Sequence, residues 1–211
     1  MVQTLAANQV TLGDLKRSLG LQQSQDPTFF LEWQADNPTL SQHEQQLLDR
    51  VKANFLALAE EPPLLENSVK MVVLSPLLDL AGFYQKPFRI ETEKSTELEL
   101  QDADTVIQGR IDVLVLQAKL WLLVIEAKRS DFAVTRALPQ ALTYLLSDPN
   151  PADIPSFGLI TNGTEFLFLK ITQQPTPQYA NSRLFSLINP QGNELYLVLP
   201  VLKSLGNAVL A

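Results

Sequence analysis

The sequence predicts an α/β fold in which a mixed β-sheet is flanked by helices and follows an N-terminal helical extension. Apolar residues recur at helical spacing through most of the first half of the chain. From Phe88 the apolar period changes to two, and a helical segment later separates these strands from a hairpin. The runs 105–117 and 120–128 are almost continuously apolar, which is typical of strands in a sheet covered on both faces.

Two capping signals define the first helices. Thr11 with Asp14 precedes a short apolar segment that ends at Gly20. Ser41 with Glu44 opens a longer helix. The apolar stripe of this second helix consists of Leu47, Leu48, Val51, Phe55 and Leu58. Between the two helices we expect a loop whose aromatic side chains pack on the body of the protein, namely Phe29, Phe30 and Trp33.

Prolines mark the boundaries of the next helices. Pro62 and Pro63 end the second helix, and they also suit the first turn of a helix over 64–74. Pro76 begins a further short helix, for which Gly82 is the expected end.

The second half contains the strands. We expect strands over 88–100, 105–117 and 120–128, and then a helix over 133–147 in which Pro139 lies near the first turn or causes a kink. The sequence SFGLI, a turn at Asn162-Gly163 and the sequence EFLFLKI predict a hairpin. A strand near 179–188 and a helix near 193–205 complete the expected order.

Composition excludes several classes of site. The 211 residues include no cysteine and one histidine, His43, so disulfides, thiolate zinc sites and sites with two imidazoles are ruled out. The first 20 residues lack the basic start and the continuous apolar core that are typical of a signal peptide, and no run reaches the roughly 18 apolar residues of a membrane span. We therefore expect a soluble, cytoplasmic protein with no membrane partner.

The negative charge is concentrated in the first half of the chain. The formal net charge is −7, and residues 1–105 contain 16 acidic against 8 basic side chains. Residues 106–211 contain 7 acidic against 8 basic side chains. The charge distribution therefore allows a locally neutral or basic surface around Arg110, Lys128, Arg129 and Arg136 despite the acidic total.

Three ionisable residues stand in or at the ends of apolar strands. Asp112 interrupts one strand, and Glu126 and Lys128 close the next. Burial of a lone charge costs several kcal/mol, so such groups need partners, a metal ion or water. Strand alternation places Glu126 and Lys128 on one face. If Asp112 faces the same way, two carboxylates and an ammonium converge, and carboxylate oxygens are ligands that suit Mg²⁺ or Mn²⁺.

The loop between these strands decides whether the two carboxylates meet. Directly opposed residues of an antiparallel pair share a face, and a two-residue loop at Ala118-Lys119 would put Asp112 and Glu126 on opposite faces. We therefore expect either a loop with an odd number of residues or a β-bulge in this hairpin.

Asp112 followed by Glu126-Ala127-Lys128 on the next strand resembles the PD-(D/E)XK signature of the restriction-endonuclease-like fold. The region 66–128 is similar to the nuclease domain of type I restriction enzyme R subunits and to related small stand-alone cyanobacterial proteins. One departure is Ile111, which stands where this signature often has proline.

The resemblance covers most of residues 40–190. It implies an N-terminal helical and loop extension over 1–38 and a single restriction-endonuclease-like nuclease domain over 39–211. The implied activity is metal-dependent hydrolysis of DNA phosphodiester bonds, as in a restriction or repair endodeoxyribonuclease.

The resemblance also assigns roles to residues. Asp112 and Glu126 would bind Mg²⁺ or Mn²⁺, the backbone carbonyl of Ala127 would add a ligand, and Lys128 would serve the attacking water. Glu66, on the helix before the first core strand, would join this site. If Glu66 lies on the inner edge of its helix, its carboxylate needs a cation or Lys70, four residues on, as partner.

A downstream Gln-x-x-x-Tyr pattern matches the same resemblance. Gln140 would hold the phosphate or Lys128, and Tyr144 would contact the nucleic acid. Arg110, Arg129 and Arg136 are further candidates for nucleic-acid contacts. From the residues alone, Tyr144 is equally a core-edge tyrosine, and Glu66 is equally a solvated helix residue.

Two hypotheses about function follow. The first is a metal-dependent DNase whose partner is DNA. Because the chain has no Gly-x-x-x-x-Gly-Lys-Ser/Thr motif, we expect it either to act alone or to use a separate motor or specificity subunit. A homodimer is a further option. The alternative is a catalytically silent nucleic-acid-binding or complex-assembly module of nuclease descent, in which Glu126 and Lys128 are a strand-end ion pair.

Overall fold

A mixed β-sheet forms the centre of the protein, between two layers of helices. The structure is a computed structural model that describes residues 3–34, 39–61, 63–99, 105–117 and 120–208. Within these ranges the sheet has nine strands. The arrangement confirms the predicted α/β class with a restriction-endonuclease-like core.

The strands are β1 (Gln3–Ala6), β2 (Gln22–Gln23), β3 (Phe88–Glu99), β4 (Thr105–Gln117), β5 (Leu120–Ala127), β6 (Ser156–Thr161), β7 (Glu165–Thr172), β8 (Gln178–Asn181) and β9 (Phe185–Ser186). Their order in the sheet is β1-β4-β5-β6-β7-β8-β2, with β3 also paired to β4 and β9 to β7. The pairs β1–β4, β5–β6 and β2–β8 are parallel, and the other pairs are antiparallel.

The helices are α1 (Leu12–Leu19), α2 (Gln42–Leu58), α3 (Glu66–Val69), α4 (Ser75–Leu80), α5 (Leu138–Leu146) and α6 (Leu195–Ala208). Within the described ranges, no helix is both long enough and apolar enough to cross a lipid bilayer.

The two helical layers explain the continuous apolarity of the central strands. Val113 and Val115 of β4 pack in the core that contains α2, α4 and α6. Leu114 and Leu116 pack in the core that contains α1 and α5. Because each face of the sheet is covered, alternate residues on both sides are apolar, as the sequence predicted.

Both capping boxes are confirmed. Thr11 accepts from the Asp14 backbone N–H, and Ser41 accepts from that of Glu44, with each acidic side chain bonding back to its cap residue. Pro139 lies in the first turn of α5, after a short 3₁₀ turn, so the expected position near a helix start is also confirmed.

The main differences from prediction are short strands. The N-terminal extension contributes α1 and also β1 and β2, which join the sheet beside β4 and β8. Strands of four and two residues carry too few side chains to show a period. The predicted strand near 179–188 is two strands, β8 and β9. The predicted boundary at residue 38, Pro62 and the loop at Ala118-Lys119 lie outside the described residues.

The break predicted at Pro76 is a widened turn inside one helical segment. A π-turn (Lys70–Leu74) connects α3 to α4, and the Ser75 backbone N–H donates to the carbonyl of Lys70, five residues earlier. In a regular helix the proline ring would press against the carbonyl four residues before it, and Pro76 has no N–H to donate. A π-turn accommodates both effects without ending the helix.

We predict that Gly109→Ala destabilises the protein by about 1–3 kcal/mol, the usual cost of overpacking. A Cβ atom at Gly109 would lie 2.5 Å from Cε1 of Tyr144 and 2.8 Å from the Cβ of Ala7. Urea denaturation measures the effect. Gly13→Ala in α1 is the matched control, because its Cβ would meet the flexible end of Arg17 at 3.0 Å, and it should leave stability unchanged or higher. Equal stability of the two variants would refute the packing argument.

Candidate active site

A β-bulge sets the register of the β4–β5 hairpin. Near the loop Leu116 pairs with Trp121, whereas the next pair joins Val115 to Leu123. Leu122 is therefore an extra residue on β5. This confirms the expected β-bulge, which is needed if the side chains of Asp112 and Glu126 are to share one face of the sheet.

Beyond the bulge, the register places Asp112 opposite Glu126. The last ladder pair joins Val113 to Ile125, and Asp112 and Glu126 occupy the next positions. The Ala127 backbone N–H then donates to Oδ2 of Asp112 at 2.8 Å. The Asp112 carboxylate therefore lies against the backbone of β5, beside Glu126.

The regular alternation of side chains along strand β4 is interrupted at Asp112. Ile111 packs on the α5 side of the sheet, whereas Val113, two residues on, packs on the α2 side. The ladder between β3 and β4 omits the pair formed by Asp112 and Glu93, and Glu93 has φ of +56°. This left-handed conformation is uncommon for a residue with a side chain, and such strain often occurs at functional sites.

Glu126 is a buried carboxyl with one unsatisfied oxygen. Its side chain is 2% exposed, Oε1 accepts from the Lys128 ammonium, and Oε2 has no hydrogen-bond partner among the described residues. Burial, and then the negative charge of Asp112, raise the pKa of Glu126 to about 8. A further cation at Oε2 would therefore stabilise the ionised form.

Lys128 is held in place from both ends. Its backbone N–H donates to the carbonyl of Thr161 on β6 at 2.8 Å. Its ammonium bonds Glu126 and lies 5.9 Å from the centroid of the Phe132 ring. The side chain is 16% exposed, so the ammonium is largely shielded but remains accessible.

A second lysine, Lys70, lies between the carboxylates of Asp112 and Glu66. Its Nζ is 2.6 Å from Oδ1 of Asp112 and 2.9 Å from Oε1 of Glu66. The expected pairing of Glu66 with Lys70 is confirmed, and it links the helix that contains Glu66 to the β4–β5 hairpin.

These contacts affect the three groups differently. Burial raises the pKa of Asp112, although Lys70 acts in the opposite direction. Burial also opposes the ionisation of Glu66 and Lys70, but their mutual hydrogen bond and charges lower the pKa of Glu66. Hydrogen bonds to Asp112 and Glu66 raise the pKa of Lys70, so its ammonium is retained.

Gln140 and Tyr144 form a pair on α5. The amide of Gln140 donates to the Tyr144 hydroxyl at 2.8 Å. Tyr144 is 2% exposed, and burial raises its pKa to about 12. This depth does not fit the predicted direct contact between Tyr144 and nucleic acid, because the ring fills the core beneath Gln140. Tyr144 instead supports the half-buried Gln140.

The three predicted arginines remain at the surface. Arg110 bonds Glu93 through Nε at 2.6 Å, and Arg129 bonds Asp131 at 2.8 Å. Arg136 lies 5.6 Å from the ring centroid of Phe132. Their contacts with nucleic acid stay a prediction.

The donor set fits a divalent metal ion of the Mg²⁺ type. In the described ranges no three Asp, Glu or His side chains form a ready-made metal cluster. Mg²⁺, however, commonly takes one or two carboxylates and completes its shell with water. The unsatisfied Oε2 of Glu126, next to Asp112, meets that requirement. Glu66 fits less directly because its Oε1 is bonded to Lys70.

The sequence did not predict that Lys70 contacts Asp112 or that Glu93 lies near Lys70. The four-residue spacing indicated that Lys70 pairs with Glu66, but the contact with Asp112 joins positions 42 residues apart. Glu93 lies 3.8 Å from Lys70, and no local pattern marks its left-handed backbone.

A cleft opens beside the ion pair of Lys70 and Asp112. Its volume is about 460 Å³, and its lining includes Lys70, Asp112, Glu93, Met71 and Tyr84. Met71 and Tyr84 are 74% and 46% exposed. The cleft gives a substrate access to Asp112 from the solvent.

Comparison with known protein families identifies a match over most of the chain. The family described as type I restriction enzyme R protein N terminus matches residues 21–176. The match runs from before β2 to beyond β7 and includes every residue of the candidate site. No curated protein matches the chain.

We predict that Glu126→Gln stabilises the metal-free protein in a pH-dependent manner. The folded-state pKa of Glu126, about 8, lies above its ordinary value of 4.5, so folding favours the protonated acid. The contribution of Glu126 to the free energy of unfolding is therefore largest below pH 4.5 and is lost as the pH rises towards 8. Glutamine resembles the protonated acid and does not titrate.

Urea denaturation in EDTA should show a small difference between Glu126→Gln and wild type at pH 5. At pH 8 the variant should be more stable, by on the order of 2–4 kcal/mol. Glu97→Gln on the exposed side of β3 is the control, and it should show no such increase with pH. A Glu126→Gln difference that is constant from pH 5 to pH 8 would contradict the assignment.

Proposed function

Because the chain belongs to the family of type I restriction enzyme R protein N termini, we propose that it is a metal-dependent nuclease that hydrolyses DNA phosphodiester bonds. The observation that carries the proposal is the buried Glu126, which has one oxygen on Lys128 and one oxygen without a partner, opposite Asp112. A nuclease needs these groups together, whereas a structural ion pair needs only one carboxylate and one cation.

Asp112 and Glu126 hold the metal ion in this proposal. Mg²⁺ or Mn²⁺ held by these residues would supply a bound water of lowered pKa and positive charge for the phosphate. Glu126 would offer Oε2, and the backbone carbonyl of Ala127 would add a further ligand. Ionisation of Glu126 then becomes favourable, because the ion offsets the burial that raises its pKa.

Lys128 positions the attacking water. Its ammonium is bonded to Glu126 and its backbone N–H to Thr161, so a water bound at Glu126 would lie within reach of the ammonium. The ammonium would donate a hydrogen bond to this water, which would release one proton to solvent, and would orient the resulting hydroxide towards the phosphorus atom while it stabilises the negative charge that develops during attack.

The cleft beside Asp112 receives the DNA strand. The acidic side chains that line it, Glu93 and Asp112, repel a phosphate, so productive binding of DNA requires the metal ion together with Lys70, which lines the same cleft. Gln140, supported by Tyr144, contacts the phosphate or Lys128 from the α5 side. The exposed side chains of Arg110, Arg129 and Arg136 contact the flanking DNA backbone in this proposal.

The remaining assignments are part of the same proposal. We propose that the protein acts on DNA in the cytoplasm together with a motor or specificity subunit, because the family it matches is the N terminus of type I restriction enzyme R proteins. A homodimer would be a second way to bring two such sites to a duplex.

We predict that Lys128→Ala lowers the rate of DNA cleavage by about two orders of magnitude or more, since the group that positions the water is lost. Mg²⁺ binding should persist because the carboxylates remain. Cleavage of plasmid and single-stranded DNA with Mg²⁺ or Mn²⁺ measures the rate, and calorimetry measures the metal affinity. Lys203→Ala is the control, since Lys203 bonds Glu44 away from the site, and it should cleave as wild type does.

Two outcomes would contradict this proposal. Cleavage by Lys128→Ala at the wild-type rate would remove Lys128 from the mechanism. A wild-type protein that binds DNA but cleaves no form of it with either metal would favour the alternative of a catalytically silent binding module.

We predict that Asp112→Asn weakens metal binding and cleavage together, because an amide oxygen is a poorer ligand for a hard cation than a carboxylate. The amide can still accept one hydrogen bond from Lys70 or Ala127, so folding should survive. Calorimetric Mg²⁺ titration and cleavage assays on the same preparation test the link. Loss of cleavage with unchanged metal affinity would show that Asp112 is not a metal ligand.

A further inference from the structure

We propose that the Lys70 ammonium takes the place of a second metal ion at this site, so that each chain binds only one divalent metal ion. This inference rests on the proposed nuclease function. It states that the positive charge of the site comes from one metal ion and from the Lys70 ammonium. Many enzymes that cleave phosphodiesters instead use two metal ions about 3.5–4 Å apart.

The position of the ammonium supports this role. Nζ of Lys70 lies 2.6 Å from Asp112 and 2.9 Å from Glu66, distances typical of charge-assisted hydrogen bonds. Glu93 lies 3.8 Å away on the third side. A cation surrounded by three carboxylates in this way occupies the place that a second ion would need.

The backbone holds Lys70 where it is. Lys70 begins the π-turn, and its carbonyl accepts from the Ser75 backbone N–H. Glu66 lies one helical turn earlier on the same face. The Lys70 side chain is 16% exposed, so its ammonium is confined between α3 and β4.

The charge of the site also suits a single metal ion. The four carboxylates of Glu66, Glu93, Asp112 and Glu126 and the three cations paired with them, Lys70, Lys128 and Arg110, leave one negative charge when all are ionised. One divalent ion turns this into one positive charge, which attracts a phosphate. A second divalent ion would approach an ammonium at close range and would be repelled strongly.

Lys70 also lines the cleft in which we place the substrate. Lys70 lines the same cleft as Asp112, so it can contact a phosphate oxygen while it remains bonded to the carboxylates. A lysine has three donors and acts as a compact point charge, so it can serve both purposes.

The test is the number of Mn²⁺ ions bound by the full chain without DNA, measured by calorimetry and by electron paramagnetic resonance. Wild type should bind one ion. Lys70→Met keeps most of the apolar stem but removes the charge, and it should bind two. Wild type with two ions, or Lys70→Met with one, would overturn the proposal.

Lys170→Met is the matched control. Lys170 is 14% exposed and bonds Glu32 at 2.6 Å, so it resembles Lys70 in burial and pairing but lies on β7. It should still bind one ion. Lys70→Arg, which retains a positive charge, should also bind one ion, and two ions in this variant would overturn the proposal. The wild-type count tests the proposal even if Lys70→Met does not fold.

Cleavage then separates this inference from the proposed function. Lys70→Met should cleave DNA at least about tenfold more slowly at a metal concentration that saturates wild type, and higher Mn²⁺ should restore the rate. Lys128→Ala should not recover. If wild type binds one ion and Lys70→Met two, but neither cleaves DNA, the nuclease function fails while the cation role stands. If wild type cleaves and Lys70→Met still binds one ion, only the cation role fails.

Discussion

The site depends on one extra residue in one hairpin. Side chains alternate along a strand, so a shift of one residue moves every following side chain to the other face. The bulge at Leu122 supplies this shift between the loop and the strand ends. It places Asp112 opposite Glu126 and also directs Ile125 to the same core as Val113. The packing of the sheet and the meeting of the carboxylates are therefore consequences of the same register.

Placing carboxylates in such a core has an electrostatic cost that the protein only partly offsets. Lys70 and Lys128 each neutralise carboxylates, yet Oε2 of Glu126 lacks a partner within the described ranges and burial keeps its pKa high. Buried ionisable groups of this kind destabilise a fold unless a further charge is bound. The same imbalance creates affinity for a cation, so the stability lost at Glu126 and the proposed metal binding have one origin.

Local patterns predicted much of this arrangement. The capping boxes, the alternation of side chains along the strands and the β-bulge that lets Asp112 and Glu126 share a face depend on neighbours in sequence, and the structure contains both capping boxes and the bulge. The contact of Lys70 with Asp112 and the burial of Tyr144 depend on how distant elements pack, which spacing along the chain does not contain. Spacing showed that Gln140 and Tyr144 share a face, but not how deep that face lies.

The central claim is that Asp112 and Glu126 jointly hold a divalent cation. Crystals of the protein soaked in Mn²⁺ and measured at the manganese absorption edge test it most directly. The account predicts an anomalous peak within about 2.5 Å of Oε2 of Glu126 and of a carboxylate oxygen of Asp112, close to the bond lengths of such ions. An anomalous peak only at other carboxylates, or no peak at this pair at saturating Mn²⁺, would contradict the account.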